Sequence, residues 1–430
     1  VGDKHGCEAA TSHLARSGRA MMLRCATAAG RRLRGHALAA ARGPRHLSAA
    51  TSSVLTWGEG SDGQLGHFPF ERSGMLNSYA EMLPRELKDE AGAPILFAHV
   101  ACGTSHSLAV DGAGALWSWG KPKYGELGHG TDEETPKPKR VQGVEGVKFT
   151  SVACGEFHSA AIDSQGLLWT WGYGGSWVSG GGHLGHGDQK SLNVPTVVKA
   201  VEAGGYFCKS VCCGEAHTAI LTSDGEVLSC GAGEHGRNGN GSSRDVTVPE
   251  PVDYLESSDI LQLEAGSAFT LALDSAGQIH CWGRNDQGQL GVGGGLQMDV
   301  YSMEDVPRVV ESNGSPLLAM SVAAGHSHAT CVTLDGGAFV WGMKNNLEPA
   351  RVVFEDPGTK IKRAYAGSGY TLYVAEDDAT HSAGLGRTCC LGHGDKKGYA
   401  HPIRVAALDD YIIKAASAGY RHVAAIVTCK

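Results

Sequence analysis

Five histidines recur at the same distance behind a glycine, and histidine is a common ligand of zinc and other transition metals. They are His106, His158, His217, His328 and His422, each in a Gly-x-x-His motif. The copies lie far apart along the chain, so each is expected in its own structural unit, whereas zinc ligands must meet within about 2.1 Å of one ion. We interpret these imidazoles as structural groups that hydrogen-bond to the backbone of their own unit. We predict no metal site.

The thirteen cysteines show no metal-binding spacing, and short catalytic motifs are absent from the sequence. No Cys-x-x-Cys is present, and Cys102, Cys154 and Cys213 each precede a motif glycine, which is typical of small buried hydrophobic residues. The sequence contains no Gly-x-x-x-x-Gly-Lys-[Ser/Thr] phosphate loop, no His-Glu-x-x-His zinc helix and no Gly-x-Ser-x-Gly nucleophile turn. We therefore predict no catalytic residues, no cofactor-binding residues and no intrinsic enzymatic turnover.

Composition limits the class of protein. Glycine is abundant, with 62 residues against 15 prolines, and 42% apolar content argues against disorder. Beyond residue 50 the chain has a net charge of about −15, which argues against nucleic-acid binding because phosphate affinity depends on Lys and Arg. No run reaches the ~18 apolar residues that a membrane-spanning helix requires. We predict no DNA partner and no transmembrane segment.

Residues 1–50 are predicted to be an organellar presequence, disordered or cleaved, with the mitochondrion as the destination. No acidic residue occurs between Glu8 and Glu59, and the gap is rich in alanine, leucine and arginine. Such arginine-rich, acid-poor composition is typical of mitochondrial presequences. A plastid presequence is the alternative, and a basic tail of no targeting function is a third interpretation. The arginines within the gap include Arg24, Arg31, Arg32, Arg34, Arg42 and Arg45.

Two short motifs repeat seven times along the rest of the chain. The first is a glycine followed three residues later by histidine or an aromatic residue, at Gly103/His106, Gly155/His158, Gly214/His217, Gly266/Phe269, Gly325/His328, Gly367/Tyr370 and Gly419/His422. The second is Trp-Gly, at Trp57-Gly58, Trp119-Gly120, Trp171-Gly172, Trp282-Gly283 and Trp341-Gly342, with Cys230-Gly231 and Ala383-Gly384 as degenerate copies. A period near 50 residues is in the range of β-propeller blades.

The alternating apolar stretches and Gly-containing turns within each unit predict short antiparallel strands. Trp57 has no Gly-x-x-His before it, and His422 has no Trp-Gly after it. If the last strands pair with the segment near Val54–Trp57, one blade contains both ends of the repeat region and no sheet edge is left open. We predict an all-β, closed seven-bladed β-propeller over residues 54–430, with about four strands per blade.

The motifs identify a family resemblance. Residues 101–107 (ACGTSHS), 116–120 (LWSWG) and 125–130 (GELGHG) resemble the regulator-of-chromosome-condensation repeat, and the presequence makes the chain most similar to the mitochondrial members of that family. The resemblance implies a protein-interaction propeller in the mitochondrial matrix or on the matrix side of the inner membrane.

Within this family the resemblance implies three binding roles. The first, which we favour, is a scaffold, assembly factor or subunit of a large complex such as the ribosome or a respiratory complex. The alternative is a guanine-nucleotide exchange factor for a small GTPase. A plant member senses UV-B light through tryptophans in a Gly-Trp-Arg-His-Thr setting, but Tyr420 stands at that position here, which argues against photoreception.

Irregular loops are expected to carry partner specificity, because repeats form the scaffold and insertions map to loops. The loop from Gly172 to Leu184 is five residues longer than usual and contains Trp177, either as a partner anchor or as a plug over the propeller face. The insert from His67 to Ala98 is short of repeat features. It contributes the other partner-binding candidates, Phe68, Phe70 and Tyr79.

The presequence interpretation predicts a processing site and a charge requirement. Cleavage is expected after about Leu47, and replacing Arg31, Arg32 and Arg34 with glutamate is expected to abolish import, because the membrane potential draws cations inward. Import of the radiolabelled precursor into isolated mitochondria measures both. Unchanged import of the triple variant contradicts the interpretation.

Overall fold

The computed structural model describes residues 52–67, 79–89, 92–176, 178, 180–256, 258–293 and 303–430. The first two strands are β1 (Ser52–Glu59) and β2 (Ala80–Glu86). Blade 1 contains β3 (Phe97–Cys102), β4 (His106–Asp111), β5 (Leu116–Gly120) and β6 (Thr135–Arg140). Blade 2 contains β7 (Phe149–Cys154), β8 (His158–Asp163), β9 (Leu168–Gly172) and β12 (Leu192–Val197), and its long loop contains the hairpin β10 (Gly175–Ser176) and β11 (Gly180–Gly181).

The remaining blades follow the same order. Blade 3 contains β13 (Cys208–Cys213), β14 (His217–Thr222), β15 (Val227–Gly231) and β16 (Val246–Pro251). Blade 4 contains β17 (Ile260–Ala265), β18 (Phe269–Asp274), β19 (Ile279–Arg284) and β20 (Met303–Val309), followed by the hairpin β21 (Glu311–Ser312) and β22 (Ser315–Pro316). Blade 5 contains β23 (Ala319–Ala324), β24 (His328–Thr333), β25 (Ala338–Gly342) and β26 (Asn346–Arg351). Blade 6 contains β27 (Ile361–Ala366), β28 (Tyr370–Ala375), β29 (Thr380–Gly384) and β30 (Tyr399–Arg404), and the chain ends with β31 (Tyr411–Ala418) and β32 (His422–Cys429).

Helical structure is confined to short connections in the described residues. These are α1 (Lys199–Ala203) and single 3-10 turns at Glu234–Gly236, Asp253–Leu255 and Ala406–Leu408. None of these helices is long and apolar enough to cross a membrane. The described residues thus form seven four-stranded antiparallel sheets arranged as a ring, and the predicted all-β, seven-bladed class is confirmed.

Blade 7 is assembled from both ends of the repeat region, in the strand order β2-β1-β32-β31. Val54 pairs with Ile426 and Trp57 with Val423, as the split repeat predicts. The insert His67–Ala98, which is short of repeat features in the sequence, contains β2, the regular outer strand of this blade.

Indole rings and loop carbonyls join neighbouring blades. The five Trp-Gly tryptophans are fully buried. The ring of Trp119 donates from Nε1 to the carbonyl of Gln64 in the preceding blade at 2.8 Å, and that of Trp171 donates to the carbonyl of Glu126 at 2.7 Å. Trp57 makes the same bond to Cys390 at 2.7 Å across the closure of the ring. The acceptor in each case belongs to the Gly-Gln-Leu-Gly element or its variant.

The motif histidines form a second set of contacts between blades, and the predicted bond to their own blade's backbone is wrong. Each Nε2 lies within hydrogen-bond distance of a serine or threonine hydroxyl in the next blade. The pairs are His106–Ser159 at 3.1 Å, His158–Thr218 at 3.0 Å, His217–Thr270 at 2.9 Å, His328–Thr371 at 2.9 Å and His422–Ser107 at 2.7 Å. The last pair joins blade 7 to blade 1.

The hydroxyl partners define the tautomer of the imidazoles. Ser107 donates its hydroxyl proton to the Gln64 carbonyl at 2.9 Å, and Ser159 donates to Glu126 at 2.8 Å. Because each hydroxyl has one proton, its oxygen must accept from the histidine, which therefore carries hydrogen on Nε2. Ser107 and Ser159 thus each connect an imidazole of one blade to a loop carbonyl of the same blade.

The glycine of Gly-x-x-His is required by the ring that follows it. A Cβ atom on Gly155 would lie 2.4 Å from Cε1 of His158 and 2.6 Å from the carbonyl oxygen of Gly214 in the next blade. Only a residue without a side chain fits between the imidazole and the neighbouring blade.

The two units without a motif histidine also lack the matching hydroxyl. Phe269 occupies the histidine position in blade 4, and Ala329 occupies the hydroxyl position that faces it in blade 5. Tyr370 occupies the histidine position in blade 6, and Val423 occupies the hydroxyl position that faces it in blade 7. The Tyr370 hydroxyl is instead within hydrogen-bond distance of the carbonyls of Gly419 and His422 in blade 7, at 2.9 and 3.1 Å. Each blade interface therefore has a matched pair of residues. Either a histidine faces a hydroxyl, or an aromatic residue faces an aliphatic one.

A further set of histidines lies in the glycine-rich turns that follow the third strands. His129, His186 and His393 are half-buried, and their Nε2 atoms lie 3.0, 3.0 and 2.8 Å from the hydroxyls of Ser118, Thr170 and Ser382. These bonds fasten the Gly-Gln-Leu-Gly loop to the third strand of its own blade.

Burial keeps the motif histidines neutral and makes stability depend on pH. Desolvation lowers the pKa to about 4 in His106 and His328 and to about 3 in His217 and His422. The unfolded chain, with histidine pKa near 6.5, binds more protons below that pH. The contribution of these histidines to the free energy of unfolding is therefore complete above pH 6.5. It decreases as the pH falls towards 4.

We predict that lowering the pH from 7 to 5 destabilises the propeller by on the order of 2 kcal/mol for each motif histidine. The carboxyl groups of Glu156 and Glu264, whose pKa is raised to about 7, act in the opposite direction but are outnumbered. Thermal unfolding followed by circular dichroism across this range provides the measurement. A midpoint that stays constant to pH 5 contradicts the neutral histidine network.

Candidate functional site

The turns between the first and second strands of all seven blades surround one mouth of the central channel. The residue after each motif glycine lines a cavity of about 100 Å³ there. These channel-mouth residues are Thr104, Glu156, Glu215, Ser267, His326, Ser368 and Tyr420. They are of five residue types, although the turns that present them are equivalent.

Backbone hydrogen bonds between blades hold these turns in place. The amide of Glu156 donates to the carbonyl of Gly214 at 3.2 Å, and the amide of Glu215 donates to Ser267 at 2.9 Å. Across the closure, the amide of Tyr420 donates to Gly103 at 3.2 Å. The channel mouth is thus a ring of fixed backbone that carries variable side chains.

Two adjacent carboxylates give one sector of this mouth a negative charge. Burial raises the pKa of Glu156 to about 7, the negative charge of Glu215 contributes in the same direction, and Lys123 opposes both. Glu215 is exposed and accepts a hydrogen bond from the Ser267 hydroxyl at 2.5 Å. A raised pKa means that the ionised form of Glu156 is poorly compensated, so a cation brought to this sector would be stabilised.

A half-buried aromatic cluster lies beside the carboxylates on blades 1 and 2. The rings of Tyr124 and Tyr173 are 4.4 Å apart, and those of Tyr124 and Phe157 are 5.7 Å apart in an edge-to-face arrangement. The ammonium of Lys123 lies 5.0 Å from the Phe157 ring centroid. Aromatic rings next to charged groups are typical of the centres of protein interfaces.

The opposite sector of the mouth has different chemistry. The rings of His326 and Tyr420 are 5.2 Å apart, and the guanidinium of Arg421 lies 5.6 Å from the Tyr420 ring. Arg421 also forms an ion pair with Glu59 at 3.4 Å. In this sector the charge of Arg421 is therefore balanced by an ion pair, whereas the pKa of Glu156 in the first sector is raised.

The channel continues below the mouth as a cavity of about 560 Å³, lined by the inner strands. Gln262 donates from Nε2 to Glu264 at 2.9 Å and to the Val322 carbonyl at 2.8 Å, and burial raises the pKa of Glu264 to about 7. Arg363 donates to the carbonyl of Lys414 at 3.0 Å. Among the described residues, no group of three or more His, Cys, Asp or Glu side chains is arranged to hold a metal ion.

Of the residues predicted to bind a partner, only Tyr79 is described by the structure; Phe68, Phe70 and Trp177 lie outside the described residues. Tyr79 is half-buried, and its hydroxyl bonds to Glu81 and accepts from Arg85. It thus belongs to the outer part of blade 7. Val178, the neighbour of Trp177 at the tip of the blade 2 hairpin, is 82% exposed. Blade 1 separates these two places.

The sequence interpretation missed the channel-mouth residues, including Glu156 and Glu215, and the cluster of Tyr124, Phe157 and Tyr173. The sequence nevertheless contains a signal for the channel-mouth residues. In each unit, the positions between the motif glycine and histidine vary although their neighbours repeat, and these positions meet at the channel mouth once the ring closes.

Comparison with known proteins gives the family of the repeat. The model of the regulator of chromosome condensation (RCC1) repeat matches residues 52–110, 113–162, 165–221, 224–273, 276–332 and 377–426. A second RCC1 repeat model matches residues 97–126, 149–176, 208–237 and 260–289. Residues 333–376, from blade 5 into blade 6, fall between matches of the first model.

Three curated relatives illustrate the range of similar proteins. Human E3 ubiquitin-protein ligase HERC2 is 33% identical over 64% of this chain, but the chain spans only 6% of HERC2. The ultraviolet-B receptor UVR8 of Arabidopsis thaliana is 29% identical over 76% of this chain and 74% of its own length. The mitochondrial RCC1 domain-containing protein RUG3 of Arabidopsis thaliana is 31% identical over 68% of this chain and 64% of its own length.

Solved structures share the fold. The crystal structure of human WBSCR16 superposes with a TM-score of 0.72 at 20% identity, covering 88% of this chain and 99% of WBSCR16. Prp20p of Saccharomyces cerevisiae superposes with a TM-score of 0.73 at 22% identity, covering 89% of this chain and 93% of Prp20p. Identities this low establish the seven-bladed architecture alone.

Proposed function

The chain belongs to the RCC1 repeat family, and from that membership we propose that it binds a protein partner at the channel mouth, as a scaffold, assembly factor or subunit of a large mitochondrial complex. The observation that carries the proposal is the pair of carboxylates at Glu156 and Glu215, of which Glu156 has a raised pKa. The complementary partner presents a lysine or arginine to these carboxylates and apolar surface to the neighbouring aromatic cluster.

The geometry supports recognition of a partner better than turnover of a small molecule. The carboxylates are fixed by turns that belong to different blades, and Tyr124, Phe157 and Tyr173 provide rigid apolar area beside them. Partner binding places a cation where Glu156 has a raised pKa, so the interaction weakens as pH falls through about 7 and this carboxyl becomes protonated. Such a dependence distinguishes charge recognition from purely apolar docking.

The mitochondrial location rests on two independent observations. Residues 1–50 have the composition of a presequence, and RUG3, whose name places it in mitochondria, is 31% identical to this chain. UVR8 and HERC2 carry no such designation in their names. HERC2 is a ligase, but this chain spans 6% of it, so that activity is not part of the proposal.

Exchange of guanine nucleotide on a small GTPase is the alternative function. Prp20p, which shares the fold, is reported with binding properties toward Gsp1p and histones. The two functions differ in how the complex behaves. An exchange factor forms a transient complex that added nucleotide dissociates, whereas a scaffold co-migrates stably with a large assembly on native gels.

We predict that the double variant Glu156→Lys, Glu215→Lys loses at least about tenfold in partner recovery, because like charges facing each other oppose association. The tagged protein is purified from mitochondria, and its partners are quantified by mass spectrometry, in buffers with and without GTP. Glu311→Lys, an exposed charge reversal in the connection between blades 4 and 5, is the matched control.

Recovery of partners from the double variant at the level of the control would contradict the proposal, provided that its unfolding midpoint is unchanged. Trp177→Ala is measured in the same experiment to test the anchor predicted from the sequence. If Trp177 anchors the partner, its truncation costs about 2 kcal/mol of binding or more without affecting the unfolding midpoint.

A further inference from the structure

The interface between blades 5 and 6 lacks the two groups that fill the corresponding space elsewhere. At the other interfaces, a loop of one blade inserts a buried residue, and at all of these except the interface between blades 2 and 3 the next blade supplies an indole. The buried loop leucines are Leu65, Leu127, Leu184, Leu290 and Leu391, each at most 2% exposed. Blade 3 uses Asn238 at this place, which is also fully buried.

Blade 5 has no such loop. Its third and fourth strands are joined by residues 343–345, a turn in which Met343 and Lys344 have positive φ angles of 55° and 61°. Blade 6 has Ala383 where other blades have tryptophan. The missing leucine and the missing indole therefore belong to the same interface, within the segment that separates matches of the RCC1 repeat model.

Loss of the indole alone does not open an interface. Blade 3 has Cys230 in place of tryptophan, yet Cys230 is only 1% exposed. The facing loop of blade 2 is extended there: Leu184 is buried, and Cys230 lies 3.8 Å from the His183 carbonyl. An open interface thus requires that both the loop and the indole are absent.

The result between blades 5 and 6 is a groove of about 580 Å³. Its lining includes Val340, Thr371, Tyr373, Ala383, Leu385 and Tyr399. Leu385 is 50% exposed and Val353, also in the lining, is 65% exposed, which is unusual for large apolar side chains at a blade interface. The volume lies within the ~300–1,000 Å³ range of ligand sites.

A buried hydroxyl in the lining lacks the loop carbonyl of its equivalents and hydrogen-bonds instead to the Tyr373 side chain. Thr371 is 4% exposed, and its hydroxyl pairs with Nε2 of His328 at 2.9 Å. The equivalent hydroxyls of Ser107, Ser159 and Thr218 also donate to a loop carbonyl of the preceding blade. In the described part of the chain, no loop of blade 5 presents such a carbonyl to Thr371.

We propose that this groove binds a turn of a protein partner, which inserts a leucine-sized aliphatic side chain against the lining residues Tyr373, Ala383 and Tyr399. We infer the chemistry of the occupant from the other interfaces of the same chain, where a loop with a buried leucine fills the equivalent space. The site is separate from the channel mouth. It rests on the proposed function only in that the occupant is a protein.

The probe is a cyclic, fluorescein-labelled peptide of residues 283–292, the blade 4 loop GRNDQGQLGV, added to the whole protein. Fluorescence anisotropy measures its affinity, and a version with Leu290→Ala measures the contribution of the leucine. Burying a leucine side chain is worth about 1.5–3 kcal/mol, so the alanine version is expected to bind at least about tenfold more weakly.

Two variants of the protein block the groove in different ways. Ala383→Glu places a charge in the lining and Leu385→Asp places one on the rim, and each is expected to weaken peptide binding at least about tenfold. Leu334→Asp, 77% exposed in blade 5 but outside the lining, is the matched control and is expected to leave binding unchanged. Unfolding midpoints show which variants remain folded.

A diazirine analogue of leucine in the peptide locates the bound side chain. Crosslinks to Tyr373, Ala383 or Tyr399, identified by mass spectrometry, support the proposal, and crosslinks confined to other blades overturn it. Equal affinity for both peptides, or no binding at millimolar concentration, also overturns it. So does binding that appears only when residues 294–302 are replaced by a Gly-Ser stretch of equal length, because the chain would then fill its own groove.

Discussion

A serine or threonine hydroxyl between neighbouring blades is the contact on which most of this propeller depends. The Ser107 hydroxyl accepts from His422 of blade 7 and donates to Gln64 of the same blade. This hydroxyl of blade 1 therefore contacts two parts of blade 7, the motif histidine and the Gly-Gln-Leu-Gly loop. Because both partners are buried, leaving either without a hydrogen bond costs about 1–3 kcal/mol, which fixes the angle between adjacent blades.

The functional face follows from that constraint. The turns held by these histidines also carry the residues at the channel mouth, so the positions of Glu156, Glu215 and Tyr420 are determined by contacts that do not involve their own side chains. Chemistry at the mouth can therefore vary from blade to blade while the backbone stays fixed. The groove between blades 5 and 6 shows the complementary case, in which a loop that fills an interface elsewhere is missing.

Much of the architecture could be predicted from the sequence because it depends on periodic spacing. Seven glycine motifs gave the blade count, and the unpaired half-units at Trp57 and His422 gave the closure. The partner of the histidine was predicted wrongly, although the matched pairs Phe269–Ala329 and Tyr370–Val423 were visible in the sequence. Recognising them requires knowing which residues of adjacent blades face each other, and periodicity within one blade does not provide this.

The candidate site was harder to predict for the same reason. Glu156 and Glu215 are 59 residues apart and become neighbours only through the ring, and the groove at Ala383 depends on two separate losses meeting at one interface. The lengths of the inserts predicted partner contacts at Trp177, Phe68 and Phe70, which lie outside the described residues. Insertions are easy to detect in a repeat, whereas three-dimensional juxtaposition of substituted positions is not.

The most direct test is a double-mutant cycle on the contact that closes the ring, using substitutions that the chain itself contains. Ser107→Ala copies Ala329, and His422→Phe copies Phe269. The account predicts that Ser107→Ala lowers the free energy of unfolding by about 1–3 kcal/mol when His422 is present, because Nε2 is left without a partner, and by much less in the His422→Phe background. An equal cost in both backgrounds, measured by denaturant unfolding, would contradict it.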